Sequence, residues 1–166
     1  MLSNINKWDG SKSVNRHDAF ICGDAVGDLK TTDNRLSVWK ADSDEDIRDA
    51  VVALSLSREN VGKLAYCLLD EEELLKREIS VANDMKGIAP GLDDSILSKH
   101  RDLMDLDYWR IGYLSEYMID LLVKEENRKF MTASNIKKLL NEYRNNNKID
   151  TDKVKDSLRK HLGWDV

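Results

Sequence analysis

The 166-residue chain has little of the residues that interrupt or cross-link structure: one proline (Pro90), two cysteines and eight glycines. Because proline breaks helices and Pro/Gly-rich tracts form linkers, this scarcity argues against a linker-rich chain and favours uninterrupted helices. No apolar run approaches the roughly 18 residues of a membrane-spanning helix. The first 16 residues also lack the apolar core of a signal peptide. We therefore expect a cytoplasmic protein with more helix than strand.

Motifs for metal or cofactor chemistry are missing as well. Cys22 and Cys67 lie in the apolar runs AFIC and LAYCLL, where free cysteine behaves as a small hydrophobe and a cytosolic disulfide is not expected. Paired Cys or His ligands, a P-loop and a Gly-x-Ser-x-Gly elbow do not occur. Asp102 and Asp105 have helical spacing, which is more typical of a solvated helix face than of a magnesium site. We predict no metal site and no cofactor.

Charge is unevenly distributed along the chain, whose net charge is −5. Residues 124–166 carry 11 Lys+Arg against 7 Asp+Glu, net +4, which leaves 15 against 24, net −9, for residues 1–123. The acidic part suits a basic partner. The basic part suits either contact with the acidic part or contact with a nucleic acid.

The first stretches of the chain predict a loose terminus followed by a β-hairpin. Residues 1–16 show no sustained hydrophobic period, so we expect them to be loosely ordered. Residues 19–31 and 35–41 are rich in strand-favouring types and flank the turn sequence TTDN. Trp8 is a possible anchor for the terminus.

A helix and a buried strand are predicted next. Ser43 is a good N-cap, and apolar residues at helical spacing extend the helix to about Ser57. Residues 64–69, LAYCLL, are apolar on both faces, which is typical of a central strand. Joined through the helix, this strand and the second hairpin strand would be parallel neighbours.

Beyond residue 83 the pattern is mostly helical. Residues 83–93 contain the proline and two glycines and are the expected connecting loop. An apolar stripe between Ser95 and Glu126 indicates one long helix or two. Thr132 or Ser134 can cap the next helix, and a last helix should begin at Asp150 or Thr151 and end at Gly163. The stripe consists of Leu103, Leu106, Leu114, Met118, Leu121 and Leu122.

The predicted fold class is therefore α+β. We expect a small mixed sheet with one packed helix in residues 17–82, followed by a mostly helical region, residues 94–166. The two regions should form one compact body. No family resemblance is evident in these residues.

The segment RHDAFICGDAVGD, residues 16–28, has the composition of an active site. In a strand, however, His17 and Cys22 point to opposite faces, which excludes a local Cys/His pair unless the strand starts later or Gly23 and Gly27 introduce a bulge. A core strand with charged ends is the favoured interpretation. An enzyme whose site combines the distant residues His17, Cys22, Asp24 and His100 stays an alternative.

The clearest functional signal is the run LDYWRIGYLSEYMIDLL. Its aromatic residues, arginine and methionine are types enriched in the cores of protein interfaces. The chain's own sheet and helices could instead cover this face. The leading hypothesis is a non-enzymatic protein-interaction module, a small acidic accessory, antitoxin-like or immunity-like subunit of a microbial system that binds a protein partner or itself. The predicted contact residues are Tyr108, Trp109, Arg110, Tyr113 and Tyr117.

The two C-terminal helices provide a second alternative, nucleic-acid binding. Two short helices joined by a polar turn are similar to a helix-turn-helix, and basic residues crowd the second one. Asp152 and Asp156 interrupt this positive face, so plain helix packing is the simpler interpretation. The candidate phosphate contacts are Lys153, Lys155, Arg159 and Lys160.

Overall fold

A computed structural model describes Leu2, Trp8, residues 23–83 and residues 89–164 of the chain. About 51% of these residues are helical and 16% are in strands or bridges. The α+β class and the excess of helix over strand are therefore confirmed. None of the helices in these ranges has the length and apolarity needed to cross a membrane.

Short strands alternate with helices along the chain. The strands are β1 (Leu36–Trp39), β2 (Leu64–Tyr66), β3 (Ser80–Ala82), β4 (His100–Met104) and β5 (Lys129–Met131). The α-helices are α1 (Asp44–Leu56), α2 (Glu71–Lys76), α3 (Asp94–Leu97), α4 (Tyr108–Leu122), α5 (Ala133–Asn145) and α6 (Asp156–Leu162). Short 3₁₀ helices cover Gly23–Leu29, Glu125–Asn127 and Thr151–Lys153.

The strands form two small sheets and not one mixed sheet. One sheet has the order β1-β4-β3 and the other pairs β2 with β5. β3 runs antiparallel to β4, with Val81 opposite Leu103. The predicted parallel pairing of β1 and β2 is wrong because these strands lie in different sheets. LAYCLL is also not a central strand: β2 uses only its first three residues, and Leu68 is exposed. An apolar run of this length predicts burial but does not specify a pairing partner.

The predicted first strand of the hairpin is wrong where it can be compared. Gly23–Leu29, with the sequence GDAVGDL, is a 3₁₀ helix because its glycines and aspartates favour turns over extended backbone. The turn itself is confirmed, since Thr32 and Arg35 form an antiparallel bridge across two residues with positive φ, Asp33 and Asn34. Residues 16–22 lie outside the described part of the chain.

Two compact units divide the chain. The first unit comprises Met1–Ser37, Ala65–Ala82 and Asp102–Phe130, and the second comprises Val38–Leu64, Asn83–Arg101 and Met131–Val166. Each unit therefore takes segments from both sides of the expected connecting loop at residues 83–93.

The first unit has an aliphatic core with one buried tryptophan. Trp8 is fully buried, and its indole N–H donates to the Asp28 carboxylate at 3.2 Å. This contact anchors one point of the N-terminal segment, as its sequence suggested. The fully buried side chains of this unit include Ile79, Leu103, Leu106, Leu114 and Leu122.

Residues 95–126 are not continuously helical, which corrects the prediction for this region. β4 separates α3 from α4, and pairing with β1 and β3 satisfies its backbone. Leu103 and Leu106 are buried as predicted, but they reach the core from a strand and the turn after it. Asp102 and Asp105 therefore do not share a helix face. Tertiary pairing has overridden a helical period in a segment too short to form a helix on its own.

Most local helix signals in the second unit are confirmed. The predicted start of the last helix at Asp150 or Thr151 is wrong, because Asp150 caps a separate 3₁₀ helix, Thr151–Lys153, and α6 begins only at Asp156. Ser43 caps α1, with its hydroxyl accepting the Asp46 N–H at 3.2 Å, and Thr132 caps α5 in the same way. Gly163 ends α6 with a φ of 70°. α1 packs against α3 and α5. The predicted inward side chains of α5, Ile136, Leu139, Leu140 and Tyr143, are all buried.

The second unit also buries a carboxylate within a network of hydrogen bonds. Asp49 of α1 is 3% exposed. The Tyr143 hydroxyl donates to one of its oxygens at 2.6 Å, and the Lys99 ammonium donates to the other at 2.6 Å. Lys99 also pairs with Asp46. We call these four residues the Asp49 network. It compensates the desolvation of a buried charge, which is otherwise strongly unfavourable.

Candidate protein-binding surface

Hydrogen bonds of Leu106 and Asp107 fix the start of α4. Asp107 is the N-cap, and its carboxylate accepts the Arg110 N–H at 2.9 Å. Just before it, Asp105 has a φ of 55°, and Leu106 donates its N–H to the carbonyl of Asn34 at 2.8 Å. These contacts fix the start of α4 at Asp107, one residue before Tyr108, its first aromatic side chain.

The Arg110 side chain connects the start of α4 to the turn before β3. Its Nε donates to the carbonyl of Glu78 at 2.9 Å, and its guanidinium pairs with Asp107 at 2.7 Å. Glu78 has a φ of 58°, in the left-handed region. Arg110 was predicted to contact a partner, but its donors bind the turn between α2 and β3 and the cap of its own helix.

α4 has one buried side and one exposed side. At 100° per residue, the exposed positions fall within an arc of about 140°. The buried positions Leu114, Tyr117, Met118 and Leu122 lie on the opposite side. The broad apolar face predicted from sequence is thus divided, with one part in the core and the other part in solvent. The exposed residues are Tyr108, Trp109, Gly112, Tyr113, Glu116 and Asp120, which we call the α4 surface.

Three aromatic side chains form the N-terminal half of the α4 surface. Tyr108 is 85% exposed, Trp109 69% and Tyr113 42%. Tyr108 and Trp109 meet edge to face, with ring centroids 5.8 Å apart. Trp and Tyr are usually largely buried in folded proteins, and clustered exposed apolar groups mark interaction sites.

Tyr117, which was predicted to belong to the same surface, lies on the buried side. It is 7% exposed, and its hydroxyl oxygen accepts the Asp70 N–H at 2.8 Å. The Arg77 guanidinium lies over its ring, 4.7 Å from the centroid. Desolvation by burial raises the pKa of this phenol. These contacts assign Tyr117 a role in packing.

Gly112 lies between Trp109 and Tyr113 on the exposed side. A methyl group added at this position would meet nothing within 4 Å. A glycine inside a helix destabilises it by about 1 kcal/mol relative to alanine. Packing within the described part of the chain therefore gives no reason for a glycine here.

The C-terminal half of the α4 surface is acidic. Glu116 and Asp120 are exposed, and neither forms an ion pair with another residue in the ranges that the structure describes. The sequence interpretation missed these two residues and Gly112 because it considered residue types and not the exposed arc. Their spacing from Trp109 was the signal that could have identified them.

The candidate catalytic residues do not form a visible site. His17 and Cys22 lie outside the described residues, as does the side chain of Asp24. His100 is buried in β4, with its ring edge to face with Trp39 at 5.5 Å. The dispersed enzyme site stays a prediction.

Cys67 and the acidic groups were the other candidates for reactive or metal-binding side chains. Burial raises the pKa of the Cys67 thiol to about 11, which keeps it protonated at neutral pH. Within the described ranges, no three His, Cys, Asp or Glu side chains are grouped so that they could hold a metal ion.

The basic C-terminal residues are mostly engaged with neighbours. Lys153 pairs with Asp150 at 3.0 Å, and Arg159 pairs with Asp156 at 2.7 Å. Lys155 donates to the Ser57 carbonyl at 3.1 Å, and Lys160 is exposed.

The connection between the last two helices also differs from a helix-turn-helix. Residues 146–155, which include a 3₁₀ helix, separate α5 from α6. A helix-turn-helix joins its helices through a turn of about three or four residues. Nucleic-acid binding by this pair therefore stays a prediction, with less support than the α4 surface has.

Comparisons with protein-family models, with curated proteins and with solved structures find no match for this chain. The α4 surface is therefore interpreted from its own geometry.

Proposed function

We propose that this chain is a non-enzymatic protein-interaction module whose α4 surface binds a protein partner. The observation that carries the proposal is the exposure of Tyr108, Trp109 and Tyr113 within one arc of one helix. Each aromatic side chain can bury roughly 150–250 Å² on contact, and Trp and Tyr dominate the energetics of protein interfaces.

The charge beside these aromatics favours a basic protein over other partners. Glu116 and Asp120 continue the surface, and residues 1–123 carry a net charge of −9, from 15 basic and 24 acidic residues. Negative charge repels phosphate backbones and anionic lipid headgroups, and it steers a basic protein toward the surface. The role that fits is an acidic accessory or neutralising subunit, of antitoxin-like or immunity-like kind, that covers a basic partner.

Capture followed by direct titration tests this proposal. The wild-type chain, Trp109→Ala, Tyr113→Ala and the control Lys138→Ala are immobilised and exposed to a lysate of the source cells. Lys138 is an exposed residue of α5. The captured protein is then purified and titrated calorimetrically against each variant. We expect Trp109→Ala to weaken binding by about 30-fold, the effect of a 2 kcal/mol hot spot, and Lys138→Ala to leave binding unchanged.

Two results would contradict the proposal. One is binding of the purified partner to Trp109→Ala and Tyr113→Ala with wild-type affinity. The other is self-association of the wild-type chain in sedimentation equilibrium that Trp109→Ala abolishes, because the surface would then bind a second copy and not a basic partner.

A further inference from the structure

We infer that the partner presents a helix that packs lengthwise along α4, with apolar residues facing Trp109 and Tyr113 and Lys or Arg facing Glu116 and Asp120. This inference rests on the proposed function and specifies the kind of partner it requires. Three features of the α4 surface support it.

The first feature is the spacing of the exposed residues. Trp109, Tyr113, Glu116 and Asp120 follow one another at intervals of four, three and four residues. This alternation places the four side chains in one line along the helix and is the spacing of a seam that receives a second helix. All four residues are exposed, so the line is open over three turns.

The second feature is Gly112, which lies beside this seam between the two aromatic residues. Its exposed backbone lets another helix approach closely, because interhelical distance depends on the size of the side chains at the crossing. A helix ridge that enters between Trp109 and Tyr113 would meet backbone at this position and no side chain. Close approach supplies a reason for a glycine that packing within the described chain does not need.

The third feature is the position of Asp120 in the last turn of α4. Arg128 donates to the Leu122 and Val123 carbonyls from beyond the helix, but the last turn itself has no basic residue. A negative charge in that turn interacts unfavourably with the helix dipole. A partner cation opposite Asp120 would remove this penalty. Since exposed ion pairs contribute little affinity, Glu116 and Asp120 mainly select the charge and the direction of the partner helix.

Two synthetic helical peptides with a fluorescent label test the inference against the full-length chain. In the lysine peptide, the seam positions of one half of the helix are leucine and the seam positions of the other half are lysine. The glutamate peptide is identical except that glutamate replaces the lysines. Anisotropy titrations should show that the wild-type chain binds the lysine peptide with a Kd below about 1 mM and the glutamate peptide at least about tenfold more weakly.

Two variants of the chain examine the seam itself. Glu116→Lys combined with Asp120→Lys should reverse the preference, so that the glutamate peptide binds more tightly than the lysine peptide. Gly112→Gln should weaken the lysine peptide at least about tenfold by blocking close approach. Its matched control is Lys138→Gln, another exposed helix position, which should bind as wild type does. Circular dichroism checks that each variant is folded.

The possible failures of the two proposals can be distinguished. Equal affinity for both peptides, no reversal by the charge swap, or wild-type binding by Gly112→Gln would each overturn the helical partner while leaving the protein-binding surface intact. Full binding of the native partner by Trp109→Ala would overturn both. Quenching of tryptophan by acrylamide locates the contact: Trp8 and Trp164 are buried and Trp39 is half-buried, whereas Trp109 is exposed. The lysine peptide should therefore reduce quenching in wild type, and in Trp109→Phe only the unchanged quenching of Trp39 should remain.

Discussion

The two units differ in the large apolar side chains that they expose and in the donors that surround their buried carboxylates. Among the described residues, seven large hydrophobic residues are exposed, and all of them belong to the first unit. In the part of the chain that the structure describes, each unit buries one carboxylate: Asp102 in the first unit accepts from the Ser37 hydroxyl at 3.1 Å, whereas Asp49 in the second unit accepts from both Tyr143 and Lys99. The exposed set in the first unit is Leu68, Leu75, Tyr108, Trp109, Tyr113, Val123 and Phe130.

From this difference we expect folding stability and the proposed binding to depend on different residues. In the second unit, a buried hydrogen bond joins Asp49 of α1 to Tyr143 of α5, and Lys99 pairs with both Asp49 and Asp46. In the first unit, α4 uses one side for the core and leaves the other side with apolar and acidic groups in solvent. Substitutions in the Asp49 network should therefore change folding, and substitutions in the α4 surface should change binding.

The largest effect should follow Lys99→Met. Removing the ammonium leaves the buried Asp49 carboxylate with only the Tyr143 hydroxyl, and breaking a buried pair costs about 3–5 kcal/mol. Because the Lys99 side chain is 30% exposed, we expect the lower end, a loss of about 3 kcal/mol in the free energy of unfolding. Urea denaturation followed by circular dichroism measures it, with Lys138→Met as the control. A loss no larger than that of the control would show that the network does not stabilise the second unit.

Tyr143→Phe should have the next largest effect. It removes one donor from the buried Asp49 oxygen while preserving the ring, and an unsatisfied buried acceptor costs about 1–3 kcal/mol. The same change at the exposed Tyr108 of the first unit should alter the free energy of unfolding by less than about 0.5 kcal/mol. Equal effects at the two positions would remove the contrast between the units.

Stability should also depend on pH through this network. Hydrogen bonds from Lys99 and Ser43 hold the pKa of Asp46 at about 2, below its unfolded value of 3.8. Its contribution is therefore present above pH 4 and is lost as pH falls from about 4 to 2.

At alkaline pH, stability should instead fall as the pH rises. Hydrogen bonds to Asp46 and Asp49 raise the pKa of Lys99, and burial with the hydrogen bond to Asp49 raises the pKa of Tyr143. Both contributions are present below about pH 10 and are lost as pH rises further. Thermal denaturation between pH 2 and 11 should show both limbs in wild type. Lys99→Met should flatten them, and identical profiles would contradict the assignment.

The smallest effects should come from two glycine substitutions that change the free energy of unfolding in opposite directions. Gly112→Ala should raise the free energy of unfolding by about 0.5–1 kcal/mol, because the new methyl group meets nothing. Gly163→Ala in the second unit should lower it, because Gly163 has a φ of 70° that alanine adopts with strain. Chemical denaturation compares the two. A destabilising Gly112→Ala would mean that the fold needs this glycine after all.

Sequence patterns predicted the helices in which a capping residue is followed directly by apolar residues at helical spacing. Ser43 and Thr132 are both N-caps as expected, and α5 buries the predicted side chains. The predictions failed at Gly23–Leu29 and at β4. The first segment has turn-forming residues next to strand-forming ones, and β4 depends on strands that are distant along the chain. Such pairings leave no local signal.

The candidate site was predicted in part. The aromatic run was predicted to be exposed to a partner, and Tyr108, Trp109 and Tyr113 are exposed, whereas Tyr117 is buried and Arg110 binds within the first unit. Gly112, Glu116 and Asp120 became visible as part of the surface once the exposed arc of α4 was known.

The sequence by itself determined the starts of α1 and α5, because a capping side chain and a 3.6-residue period act over a single turn or two. It also determined that residues 108–122 carry more aromatic and apolar side chains than packing on one side of a helix requires. Only the tertiary structure decided which of these groups face solvent. Tyr113 and Tyr117 are one turn apart on the same helix, and it is the packing of Asp70 and Arg77 around Tyr117 that buries one ring and leaves the other available to a partner.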